Sequence, residues 1–190
     1  VTVRAPFALP ALAALAVAWG PDWAAWLGPF PAHMLRHMTL VAVAAPLIVF
    51  AVPALTRLAP PVAVAAALEF VVVWAFHLPQ VHAAAQGALP WFAVEQALFL
   101  AAGLCVWASA LPPAPPLAGA GGLLLTSMHM TLLGALLVLA PGDLYAALCG
   151  RAPDLSGQQL GGVLMLAIGT PVYLFGGLAL TARVLRESPA

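Results

Sequence analysis

Residues 32–53 read AHMLRHMTLVAVAAPLIVFAVP. Two His-Met pairs, His33-Met34 and His37-Met38, open the stretch, which then runs apolar to Pro53. Residues four apart share a helix face, so His33 and His37 present two imidazoles to one point while Met34 and Met38 lie offset to one side. The stretch therefore predicts a membrane helix with donor groups gathered at one end.

The rest of the chain agrees with a membrane setting. Its 190 residues are 64% hydrophobic and only 6% charged, with a mean hydropathy of +1.06, outside the range of a water-soluble globular domain. Six arginines balance six acidic residues and there is no lysine, so nothing in the charge points to nucleic acid. Two cysteines, Cys105 and Cys149, are too few for a disulfide framework. The opening segment, with Arg4 before an apolar run and Ala16-Val17-Ala18, resembles a signal peptide and is read as a retained helix.

A helix needs about 20 apolar residues to cross the hydrocarbon core. Six segments are candidates: 4–20, 32–52, 61–78, 91–111, 117–140 and 157–182. Pro- and Gly-rich breaks separate them, among them Gly28-Pro29-Phe30-Pro31 and Pro112-Pro113-Ala114-Pro115-Pro116. Such short connections make successive helices antiparallel neighbours, which predicts an all-α bundle of about six transmembrane helices forming one domain over 1–190. Pro46 and Pro171 are expected to kink their helices and free carbonyls for neighbouring side chains. Glycines 157, 161, 162, 169, 176 and 177 are expected to line close helix contacts.

Placing both termini in the cytoplasm puts Arg4, Arg57, Arg183 and Arg186 inside and leaves Arg36 and Arg151 outside. The outer end then receives His33, His37, His77, His82, Glu95 and Gln158, with His129 deeper. Polar groups at membrane depth are costly, about 2.5–3.5 kcal/mol for charged ones, so they tend to face one another. Imidazole suits copper, zinc, iron and nickel, and thioether selects Cu(I); the mixture points first to copper. His33, His37 and His77 are the expected ligands, with Met34, Met38 and His129 as further positions. Arg36, Glu95 and Gln158 are expected to orient ligands or screen charge. Plainer roles exist for each: methionines fill gaps in cores, His77 can end a helix before Pro79, His82 can meet solvent on a short surface helix, and Glu95 suits the first turns of a helix. Glu69, well inside its helix, has no evident cationic partner; Thr126 or Ser127 are candidates to bond it.

The order of landmarks resembles the CtaG-type cytochrome c oxidase assembly factors. It rests on His33-Met34-Leu35-Arg36-His37-Met38 with Ala45-Pro46-Leu47 and Pro53, on Trp74 to Pro79, on Glu95 with Phe99-Leu100 and Gly103, on Gly134 with Pro141 and Leu144-Tyr145, and on Gln158-Gln159-Leu160-Gly161-Gly162. Gln96 stands where a histidine is expected, Gly157 where an acidic residue is expected, and His82 near an expected tyrosine. The resemblance implies a multi-pass protein of the bacterial inner membrane that is no enzyme. It implies maturation of a copper-containing oxidase, with oxidase subunits or a periplasmic copper donor as partners besides the lipid bilayer, and a homodimer as one arrangement. Cu(I) is the favoured metal. The competing readings are a haem-binding electron carrier, a transporter using Glu69 and His129, and a structural oxidase partner without metal.

Overall fold

The computed structural model describes residues 3–187, and its regular elements there are all helical. In chain order they are α1 (Ala5–Trp19), α2 (Trp23–Leu27), α3 (Pro29–Met38), a π-helical stretch (Thr39–Ala44), α4 (Ala45–Ala51), a 3₁₀ turn (Pro53–Arg57), α5 (Val62–His77), α6 (Pro79–Gly87), α7 (Leu89–Ala110), α8 (Pro116–Leu139) and α9 (Leu155–Glu187). Four helical runs are long and apolar enough to cross a membrane: Pro29–Ala51, Leu89–Ala110, Pro116–Leu139 and Leu155–Arg186. α5 and α6 qualify as a fifth only if taken together, and they are bent by 74°. α1 is apolar but has just 15 residues. All six predicted segments are thus helical, and the two shortest are the ones whose spans differ from expectation.

The bend between α5 and α6 has a local cause. Leu78 is extended (φ −65°, ψ 130°), the conformation that a following proline imposes, and Pro79 then starts α6 with the missing N–H that a first turn tolerates. The chain therefore turns sharply just after His77 and brings α6 across the end of the bundle.

A second device lies inside the span Pro29–Ala51. Through Thr39–Ala44 the helix widens to π geometry, and the Ala45 N–H bonds back to the Leu40 carbonyl. In that register the Val41 carbonyl would be served by the amide of residue 46, which is proline and has no N–H. Two side chains reach that oxygen instead. Trp107 Nε1 donates to Val41 O at 3.0 Å, and the Tyr173 hydroxyl, whose one proton is shared with the nearer Glu69, lies 3.4 Å from the same oxygen, with the two rings stacked 5.4 Å apart. The freed carbonyl expected of Pro46 is thus present, and Pro171 lies inside α9.

Small residues set the helix spacings. A Cβ on Gly103 would come within 2.8 Å of Val41 Cα, so α7 crosses the π stretch at backbone contact. Likewise a Cβ on Gly162 would meet the Gly134 carbonyl at 2.8 Å, which fixes how closely α8 and α9 approach. Leu9, Leu132, Phe175 and other large apolar side chains point outward, as lipid-facing surfaces do.

Candidate metal centre

Three helices carry inward-facing residues in steps of four. On α3 and its π extension these are His33, His37 and Val41; on α5, Glu69, Val73 and His77; on α7, Glu95, Phe99, Gly103 and Trp107. Because these stripes face one another, the polar groups meet on a common axis instead of being scattered over the surface.

At one end of that axis four imidazoles pack together. The ring centroids of His33 lie 4.6 Å from His82, 5.2 Å from His77 and 6.3 Å from His37, and His37 lies 5.2 Å from His77. Glu95 Oε1 is 3.4 Å from His33 Nδ1. One ligand atom from each of His33, His82 and Glu95 falls within 4.8 Å of the others. All these side chains are buried, yet both nitrogens of His33 and His37, Nε2 of His77, Nδ1 of His82 and Oε1 of Glu95 have no hydrogen-bond partner. Buried polar atoms are almost always satisfied, so several orphans aimed at one point mark a place built to receive something.

The surroundings fix these groups in place. His77 Nδ1 lies 2.6 Å from the Val73 carbonyl and donates to it, which leaves Nε2 with a free lone pair. Phe99 stacks on His37 at 4.2 Å. Glu95 Oε2 accepts from Gln96 Nε2 at 3.0 Å, and Gln96 Oε1 accepts from Trp19 Nε1 at 3.0 Å, so one oxygen is held while the other stays free. The loop between α8 and α9 closes the end. Its Tyr145 packs on Phe30 (4.5 Å) and His82 (4.9 Å) and donates to the His77 carbonyl at 3.0 Å. Asp143 pins this loop by accepting from the amides of Tyr145, Ala146 and Asp154 at 2.8, 3.0 and 2.8 Å. Burial alone would raise its carboxyl, but those three amides, with Arg151 nearby, hold it below the usual carboxylate range.

Of the residues singled out from sequence, His33, His37, His77 and Glu95 come together. Met34 and Met38 pack toward α9, with Cγ of Met34 against Gly161 and Cε of Met38 against Gly169. Gln158 holds the closing loop, accepting from the Leu144 amide at 2.8 Å and donating to the Leu137 carbonyl at 3.1 Å. Arg36 lies over the Phe92 ring at 5.9 Å, within electrostatic reach of Asp22 and Glu95. The sequence reading missed His82, expected to meet solvent but 1% exposed beside His33, and Gln96, noted as a lost ligand but acting as the bridge from Trp19 to Glu95. Pro79 was the available signal for His82. The imidazoles touch, leaving no space for a macrocycle between His33 and His82.

His129 belongs to another group. Its Nε2 lies 4.0 Å from Glu69 Oε2, and Glu69 accepts from Thr126 Oγ1 at 2.8 Å and Tyr173 Oη at 3.1 Å. The Thr126 bond was among those expected, whereas Tyr173, over a hundred residues away in sequence, was not.

Comparison with known proteins finds no similar curated protein and no similar solved structure. The sequence model of one family does match, and it spans residues 4–187. With nearly the whole chain covered, the protein belongs to the cytochrome c oxidase caa3 assembly factor (Caa3_CtaG) family.

Proposed function

We propose that this assembly factor binds copper at the four-histidine end of the bundle and presents it for insertion into the oxidase. The observation that carries the reading is the convergence of unpartnered ring nitrogens from His33 and His82 with the free oxygen of Glu95, beside the His77 ring 5.2 Å from His33. Imidazole is a good copper donor, and a carboxylate beside it offsets the ion's charge in a buried site. Copper here is cargo. A cargo site benefits from donors preset in geometry but not saturated, and Glu95 with its Gln96 and Trp19 supports fits that requirement. With Met34 and Met38 packed toward α9, the histidine nitrogens and the Glu95 oxygen are the donors that support the reading.

The arginine distribution favours the histidine end facing out of the cytoplasm in the bacterial inner membrane, where a periplasmic donor or an oxidase subunit has access to the Tyr145 loop. No residue is assigned a catalytic step: the role is binding and release.

The test is Cu(I) uptake by detergent-purified protein, read by elemental analysis and X-ray absorption, in wild type and in His33→Ala/His82→Ala. Less copper bound in the double variant, with the nitrogen and oxygen environment of the four-histidine centre lost from the spectrum, is the expected result. Copper bound equally by both proteins, or by neither, overturns the reading.

A further inference from the structure

The proposed copper centre leaves the buried Glu69 group unused. Glu69 is fully buried, and it lies two helical turns, about 12 Å along α5, from His77. Thr126 and Tyr173 each donate to it, which fixes both carboxylate oxygens. His129 faces it with a side chain that is 6% exposed, and neither ring nitrogen has a hydrogen-bond partner. The edge-to-face contact of Phe70 at 5.3 Å holds that ring in place. The 4.0 Å from Nε2 to Oε2 is too long for a hydrogen bond. It is about twice a metal–nitrogen or metal–oxygen bond of about 2.0 Å.

Charge narrows the class of ion. One carboxylate neutralises one monovalent cation, whereas a divalent ion would leave an uncompensated charge at membrane depth. His37 stands between the two groups: its nitrogens are unpartnered, its ring is 5.2 Å from His77, and it is within electrostatic reach of His129.

We propose that Glu69 and His129 form a second, inner site for a monovalent cation, Cu(I), reached from the outer centre through His37. The inference rests on the copper reading of that outer centre. Movement between the sites changes no oxidation state. Cu(I) exchanges the imidazoles and the Glu95 carboxylate of the outer centre for the His129 imidazole and the Glu69 carboxylate, and a proton held by the inner pair passes to the donors the metal has vacated at the outer centre.

The experiment is an anaerobic Cu(I) titration of the full chain in detergent against a competing chelator, for wild type, Glu69→Gln, His129→Ala and His33→Ala/His82→Ala. Two equivalents are expected in wild type. Either inner substitution should remove one and the outer double substitution the other, the retained equivalent showing that each variant is folded. Glu69→Gln keeps the side-chain size and one acceptor oxygen, for Thr126 or Tyr173, so it is the mildest of the three variants. A wild-type stoichiometry of one that Glu69→Gln and His129→Ala leave unchanged overturns the inner site; a proton alone then occupies the pair. Loss of all copper in both inner variants, with unchanged helix content and elution, also overturns a separate inner site. Copper lost only in the inner variants, and not in the outer one, instead removes the reading on which the inference rests.

Discussion

The bundle contains two buried polar regions, and they are finished differently. Around Val41 the carbonyl freed by Pro46 receives Trp107, and the Tyr173 hydroxyl lies between that carbonyl and Glu69. Around His33 the opposite holds, with seven orphaned atoms on five side chains: two each on His33 and His37, and one each on His77, His82 and Glu95. At equal burial the Val41 carbonyl is satisfied and the histidine end is not, and an unmade buried hydrogen bond costs about 1–3 kcal/mol.

The largest expected effect breaks the satisfied region. Trp107→Ala removes a buried ring, leaves Val41 O short of a donor and opens a cavity, and should cost about 3–5 kcal/mol in chemical unfolding. A loss below about 1 kcal/mol would show that the π stretch does not depend on this ring. The unsatisfied region should respond with the opposite sign. His82→Phe removes an orphaned nitrogen from a site already lined by Phe30 and Tyr145, so the metal-free protein should melt no lower than wild type while copper uptake falls. A marked fall in the melting temperature of the metal-free variant would make His82 a structural residue.

Smaller changes sharpen the contrast. Gln96→Leu leaves the carboxylate present but unanchored, and copper affinity measured by chelator competition should fall about 10–100-fold. Tyr145→Phe deletes only the bond to the His77 carbonyl, about 1 kcal/mol, and should speed copper exchange without changing its stoichiometry. The smallest effect is the pH response of the loop. The Asp143 carboxyl is held below its unfolded value, so its contribution is present above that value and is lost as pH falls through the folded one. Protection factors of the amides in residues 140–154, which correct for the slower intrinsic exchange in acid, should therefore fall on acidification in wild type more than in Asp143→Asn; an equal fall would dismiss Asp143 as the pin.

Much of this was legible in the sequence. The His33/His37 spacing and the polar start of α7 pointed to the right end of the right helices, because helical periodicity alone decides which face a residue occupies. The same periodicity turns Met34 and Met38 about 100° from their histidine neighbours, and the partners of that second face, Gly161 and Gly169, could not be known without the helix arrangement. His82 was lost for a related reason: Pro79 signals that the chain bends, but the direction of the bend is a tertiary fact. Proline 46 announced a freed carbonyl, but the donors from α7 and α9 are set by packing over 66 and 132 residues of sequence separation.

The four-residue stripe on α7 also acts as a ruler. Glu95 and Trp107 are separated by twelve residues, about 18 Å of helix, and each is keyed to a different fixed point on the span beginning at Pro29. Inserting or deleting one residue between them would rotate one key by about 100° relative to the other, so either the carboxylate leaves the histidines or the indole leaves Val41. The length of this segment is thus under a constraint that no single side chain reveals: it can change its residues far more readily than its count.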